Sequence, residues 1–259
     1  MIHGLASTQH IWDLIIPTLA RSFRVISIDQ RGHGESSKPS TGYDFDSVCA
    51  DLGAVLRATG RGKAILVGHS YGANVAIDYA SRNPKAVSGV FCVDGGMGSM
   101  SEIMDWKTVR VALAPPKLIG VHIDEIMTMA RGDVGTRWTP QVAEIVRSLF
   151  EIDARGRVKP RLARANHMRI LRAMYGQKPK ELLASLTCPT LMYCARPRAH
   201  VMDNERAFYD MKRSATAQIK AANPRIRIEW ITSIHDIPVD RPRELAARIA
   251  RFVRQEARA

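Results

Sequence analysis

Gly68-His69-Ser70-Tyr71-Gly72 lies between the apolar run Ala64-Ile65-Leu66-Val67 and the helix-like stretch Ala73-Asn74-Val75-Ala76-Ile77-Asp78-Tyr79-Ala80. No other feature of the chain restricts its fold as strongly. A strand that turns directly into a helix through a G-x-S-x-G pentapeptide holds its serine in a strained conformation with the hydroxyl exposed. The glycines follow from the tightness of the turn, because a Cβ at either flank would meet neighbouring backbone. Ala73, Ala76 and Ala80 then give the helix a small face for close packing on a sheet.

The wider pattern agrees with such a turn. Short β-branched runs at Arg24–Asp29, Ala64–Val67, Val87–Asp94, Pro189–Ala195 and Ile226–Ile231 alternate with longer stretches of helical periodicity. That alternation predicts an α/β fold, a mostly parallel central sheet flanked by helices. In such a sheet ligands bind at the carboxyl ends of the strands. Leu245, Ile249 and Phe252 predict a last helix over Arg241–Arg254 that packs on the sheet. Between about Gly98 and Ser185 the alternation lapses into helical pieces, Val142–Phe150 and Arg161–Tyr175, broken by Pro115-Pro116 and Ala154-Arg155-Gly156. The expectation is a core of residues 1–97 and 186–259 with a helical cap inserted at 98–185.

At 259 residues and 46% hydrophobic, the chain can bury one such core and its insertion. No run is long and apolar enough to span a bilayer, and no leader is recognisable, so a cytoplasmic location is expected. Cys49, Cys92, Cys188 and Cys194 form no C-x-x-C pair and no metal-ligand spacing, which predicts reduced thiols and no bound metal. The net charge of +13 is compatible with an anionic substrate, a membrane surface or nucleic acid. No helix-turn-helix, zinc-finger or RNA-binding signature accompanies it, so nucleic acid is not an expected partner.

With three further segments, the chain resembles the α/β-hydrolase family along almost its whole length. His3-Gly4 is similar to the HG after the family's third strand, and Asp29-Gln30-Arg31-Gly32-His33-Gly34-Glu35-Ser36 to the turn after its fourth. Ser233-Ile234-His235-Asp236-Ile237-Pro238, followed by Arg241-Pro242, resembles the loop that presents the catalytic histidine. The resemblance implies Ser70 as nucleophile and His235 as general base, since a serine hydroxyl needs an imidazole to accept its proton. It also implies an oxyanion hole made by the backbone amides of Leu5 and Tyr71. His33 belongs to a structural turn, His69 cannot easily face the nucleophile, and His10, His122, His167 and His200 have no motif around them.

The acid departs from the usual pattern. Where relatives carry an aspartate after the seventh strand, this chain has Arg198, which cannot orient an imidazolium. Some relatives carry the acid after the sixth strand, and here Val90-Phe91-Cys92-Val93 ends in Asp94. Asp94 is the expected acid; Asp203, or no acid at all, stays open. A second departure is at the start. Only Met1 and Ile2 precede His3, where the family has two strands and most of a third, so a gap beside the fourth strand and an N-terminally truncated or misassigned reading are expected.

The nucleophile selects the chemistry. Relatives that open epoxides or displace halide use an aspartate there, whereas Ser70 implies acyl-enzyme hydrolysis of an ester-like substrate, with no cofactor. Met100, Met104, Trp106, Met127, Met129, Trp138 and Met168 supply cap core or an apolar acyl pocket. Two other readings share these residues: a ligand-binding protein that has lost turnover, and an acyltransferase or cofactor-free perhydrolase with a different acceptor.

Overall fold

The computed structural model describes residues 1–60, 62–197 and 203–256. Its strands are β1 (Ala64–His69), β2 (Val87–Val93), β3 (Phe150–Ile152), β4 (Val158–Pro160), β5 (Thr190–Arg196) and β6 (Arg227–Thr232). β1, β2, β5 and β6 form one parallel sheet in the order β1-β2-β5-β6. The helices Tyr71–Arg82, which follows β1, and Asp203–Ala222, which follows β5, connect neighbouring strands. Each of these connections returns the chain to the same edge, which a parallel pair requires.

Alternation along the strands sorts the core into two layers. Leu66, Val90, Cys92, Met192 and Cys194 point to one face and pack against Ala73, Ala76, Ile77 and Ala80 of helix Tyr71–Arg82. Val67, Phe91, Val93, Leu191, Tyr193 and Ala195 point to the other, against Leu245, Ile249 and Phe252 of helix Pro242–Glu256. Both faces are covered over β2 and β5, whose runs are largely apolar, whereas the edge strand β6 is half-buried and carries Arg227 and Glu229. Phe252 is fully buried and meets Phe91 edge-on, with ring centroids 5.5 Å apart. Phe252→Ala is expected to cost about 3–5 kcal/mol, read as a lower urea midpoint at unchanged slope.

The insertion is helical apart from one antiparallel hairpin, β3–β4. The hairpin arises at Ala154-Arg155-Gly156, where Asp153 accepts the backbone N–H groups of Arg155 and Arg157 at 2.9 Å. A small cluster of Ile123, Ile126, Phe150 and Val158 forms the insertion's own core. Its last helices, Arg164–Gly176 and Pro179–Ser185, instead pack into the first layer through Ile170 and Leu183.

Arg24–Asp29 does not form the expected strand. A parallel strand needs a partner along its length, and here Ile2 alone bridges Ile28 on one side and Gly68 on the other. Ile2 donates to Val67 O at 2.8 Å and accepts from His69 N at 3.0 Å. Below it, a groove of about 580 Å³ opens between residues 22–28 and β1, lined by Val25, Ile26, Ile65 and Leu66 among others. Cys49, Cys92, Cys188 and Cys194 are free thiols, and no described helix is long and apolar enough to cross a membrane.

Candidate active site

Four strand ends converge at one edge of the sheet, and the ladder carries past them. Ser70 N–H donates to Val93 O at 2.9 Å, Asp94 N–H to Tyr193 O at 3.0 Å, and Ser233 N–H to Arg196 O at 3.1 Å. Ser70, Asp94 and the start of the loop that carries His235 are thus each tied to the strand beside them. Ser70 has φ 52° and ψ −121°, a conformation that costs an L-residue free energy and is held by its surroundings. The elbow glycines are sterically required. A Cβ on Gly68 would lie 2.2 Å from Gly72 O, and one on Gly72 would lie 2.2 Å from Ile2 O.

Asp94 follows β2, also at positive φ (42°), and is 4% exposed. Its Oδ2 accepts from His235 Nδ1 at 2.8 Å. Its Oδ1 accepts from Ala195 N–H at 2.8 Å and from Lys212 Nζ at 3.0 Å. Burial alone would raise the Asp94 carboxyl. The hydrogen bond and charge of His235, the charge of Lys212 and the Ala195 amide outweigh it and hold the group below the usual carboxylate range. Burial likewise acts to lower His235, but the hydrogen bond and charge of Asp94, with the charge of Asp236, raise it above the ordinary histidine value. Because Nδ1–H donates to Asp94, the neutral imidazole leaves Nε2 free to accept a proton. The His235 side chain is 48% exposed.

Ser70 Oγ makes no hydrogen bond to the described residues, His235 included. The two are nevertheless neighbours through His69, which precedes Ser70, stacks 5.0 Å from the His235 ring and donates from Nε2 to His235 O at 3.1 Å. The loop of His235 is anchored by Asp240, whose Oδ2 accepts from Ser233 Oγ at 2.7 Å and from Ile234 N–H at 3.3 Å. Arg137 of the insertion pairs with the same carboxylate. A link between the insertion and the loop of His235 was not legible in the sequence, because 103 positions separate the partners and neither lies in a motif.

The third part is the loop His3-Gly4-Leu5-Ala6. A Cβ on Gly4 would lie 3.1 Å from Ser70 Cβ, so this loop lies directly against the serine. His3 Nε2 accepts Gln30 N–H at 3.1 Å, and His33 Nε2 accepts Ala6 N–H at 3.3 Å. Burial pushes these imidazoles down, to about 4 for His3 and about 3 for His33, so both are neutral struts that fix the loop. The amides of Leu5 and Tyr71 donate to no described acceptor, which leaves both available to a ligand oxygen.

His69, His235 and Asp236 each bring one ligand-type atom within 4.8 Å of the others. Of the cap residues, Trp106 is held by Arg172, 4.8 Å above its ring, and by Tyr175. Met127 packs on the insertion's core and Trp138 on the second layer. Met129 is 56% exposed. Arg198 and His200 lie outside the described residues, as does the side chain of Asp203, whose backbone opens helix Asp203–Ala222.

Residues 1–115 match the family described as alpha/beta hydrolase fold. A 2-(acetamidomethylene)succinate hydrolase of Mesorhizobium japonicum is 37% identical over 109 residues, 42% of this chain and 39% of that protein. A soluble epoxide hydrolase of a Corynebacterium species is 35% identical over 94 residues, 36% of this chain and 33% of that protein. These matches span well under half the length of either relative. Among solved structures, that of an E-2-(acetamidomethylene)succinate hydrolase superposes with a TM-score of 0.74 over 98% of this chain and 90% of that one, at 22% identity. A marine microorganism esterase superposes at 0.68 over 97% and 93%, at 19% identity. The chain has the α/β-hydrolase fold, and its first 115 residues match that family.

Proposed function

We propose that the chain is a serine hydrolase in which Ser70 is the nucleophile, His235 the general base and Asp94 the acid that orients it. The observation that carries this reading is the 2.8 Å bond from His235 Nδ1 to a buried, anionic Asp94, beside a serine held in a strained strand-to-helix turn. His235 Nε2 takes the Ser70 proton as Oγ attacks a carbonyl carbon. The amides of Leu5 and Tyr71 stabilise the oxyanion, each donor being worth about 3–4 kcal/mol of barrier. His235 then protonates the leaving group, and water deacylates the enzyme through the same base. Asp203 is not needed as the acid in this scheme.

The substrate class is a small ester or amide that carries a carboxylate. The net charge of +13 favours an anion, and the similar Mesorhizobium enzyme is named for 2-(acetamidomethylene)succinate. The epoxide hydrolases among the relatives argue for the shared fold alone, because position 70 is a serine and not a carboxylate.

The test is pre-steady-state hydrolysis of p-nitrophenyl acetate. A burst of one nitrophenolate per chain followed by slower turnover is expected. With the base raised above the ordinary histidine value, kcat/KM is expected to fall in acid through a midpoint above that value, because only the neutral imidazole accepts a proton. A folded protein that binds acyl compounds without a burst would support the ligand-binding reading, for which the unbonded Ser70 hydroxyl is the favouring observation. Transfer to an added alcohol or to peroxide in preference to water would support an acyltransferase or perhydrolase.

A further inference from the structure

Lys212 is 7% exposed, in the middle of helix Asp203–Ala222, and the proposed reaction does not use it. Its ammonium donates to Ala195 O at 2.6 Å, to Asp94 Oδ1 at 3.0 Å and to Asp94 Oδ2 at 3.3 Å. Of these acceptors among the described residues, two lie on the carboxylate that holds His235. A buried ammonium is expensive unless it is paired, and burying it against a second buried charge only to stabilise the fold gains little over apolar packing. The position is chemically specific. The cation bonds the carboxylate from the helix side, while the imidazole bonds Oδ2 from the loop side.

We propose that Lys212 is a positioning residue for the triad: its ammonium fixes Asp94 against His235 and keeps the imidazole unprotonated, and so able to act as base, further into acid than the carboxylate alone would. The inference rests on the serine-hydrolase reading. Its physical basis is Coulombic. Asp94 attracts a proton to His235, and a fixed positive charge on the far side of Asp94 partly cancels that attraction. The same opposition is seen at His235, which Asp94 and Asp236 push up and Lys212 pushes down. The other titratable groups facing the pair among the described residues do not take over this role. His69 is pushed down by burial and by His235, and the Cys194 thiol behind Asp94 is pushed up by burial. A cation at 212 also answers the departure at the seventh strand. With the acid on β2 instead, the helix after β5 supplies a countercharge to it.

The test is the pH dependence of kcat/KM for p-nitrophenyl acetate in the whole chain and in Lys212→Met, Lys212→Gln and Lys212→Arg, with circular dichroism on each. Removing the charge is expected to move the acid limb up by about one pH unit in the Met and Gln variants, so that activity is about tenfold lower in acid and recovers toward alkaline pH. Lys212→Arg is expected to keep the parent limb. A uniform loss at all pH values with an unmoved limb would assign Lys212 to structure alone and overturn the proposal. Failure of both charge-free variants to fold would overturn it too. An inactive parent chain that is folded would instead sink the hydrolase reading itself, so the two failures are distinguishable.

Discussion

Ser70→Ala is expected to lower kcat/KM by about 10⁴-fold or more while the protein stays folded. Removing the nucleophile of a triad leaves only binding and oxyanion stabilisation, and that residual is several orders of magnitude below the intact enzyme. Alanine keeps the Cβ, so the strained φ of 52° is neither relieved nor worsened. Glycine at the same place separates strain from chemistry. Ser70→Gly is expected to be equally inactive but to melt higher, by up to about 1–2 kcal/mol of relieved strain, offset in part by the greater freedom of glycine in the unfolded chain. Thermal denaturation of the two variants side by side reads this difference. A Ser70→Gly variant that melts lower than Ser70→Ala would show that the elbow is not strained.

Asp94→Asn has the second largest expected effect, and it acts twice. The amide presents an N–H₂ group or a neutral oxygen to His235 Nδ1, so the imidazole loses both its tautomer and its charge stabilisation, which in a serine triad lowers kcat about 10⁴-fold. The same change removes the negative charge that Lys212 meets at 3.0 and 3.3 Å. Breaking a buried pair by removing one partner costs about 3–5 kcal/mol. The variant should therefore be both slow and less stable, whereas an acid elsewhere, such as Asp203, would leave activity near the parent level. Steady-state rates and urea denaturation on one preparation read both effects.

Much of this was legible from sequence because the informative residues sit at strand ends. The runs beginning near Ala64, Val87, Pro189 and Ile226 match β1, β2, β5 and β6 to within two residues at their ends; the inner strands β2 and β5, buried on both faces, leave nearly continuous apolar runs, and the edge strand β6 is marked by its β-branched and aromatic residues. The elbow was legible for a steric reason, as only glycine fits at positions 68 and 72. Asp94 and His235 were readable as candidates from their places after β2 and β6, but their bond to one another was not, because 141 residues separate them. Arg24–Asp29 reads as a strand by composition and fails as one by pairing, since a ladder is a property of two segments and, among the described residues, Ile2 makes its only bridge. Lys212 and Asp240 left no local signal. A lysine within a helix and an aspartate before Arg241-Pro242 look like solvated charges, and only the packing of helix on sheet and of insertion on loop buries them.

The most direct test of the central claim is intact-mass detection of labelling by a fluorophosphonate, on the chain and on Ser70→Ala, with circular dichroism confirming that both are folded. The account predicts one probe per chain, located by peptide mapping on the segment containing Ser70, and no labelling of Ser70→Ala. A folded parent chain that takes up no probe, or a Ser70→Ala variant that is labelled as fast as the parent, would contradict it.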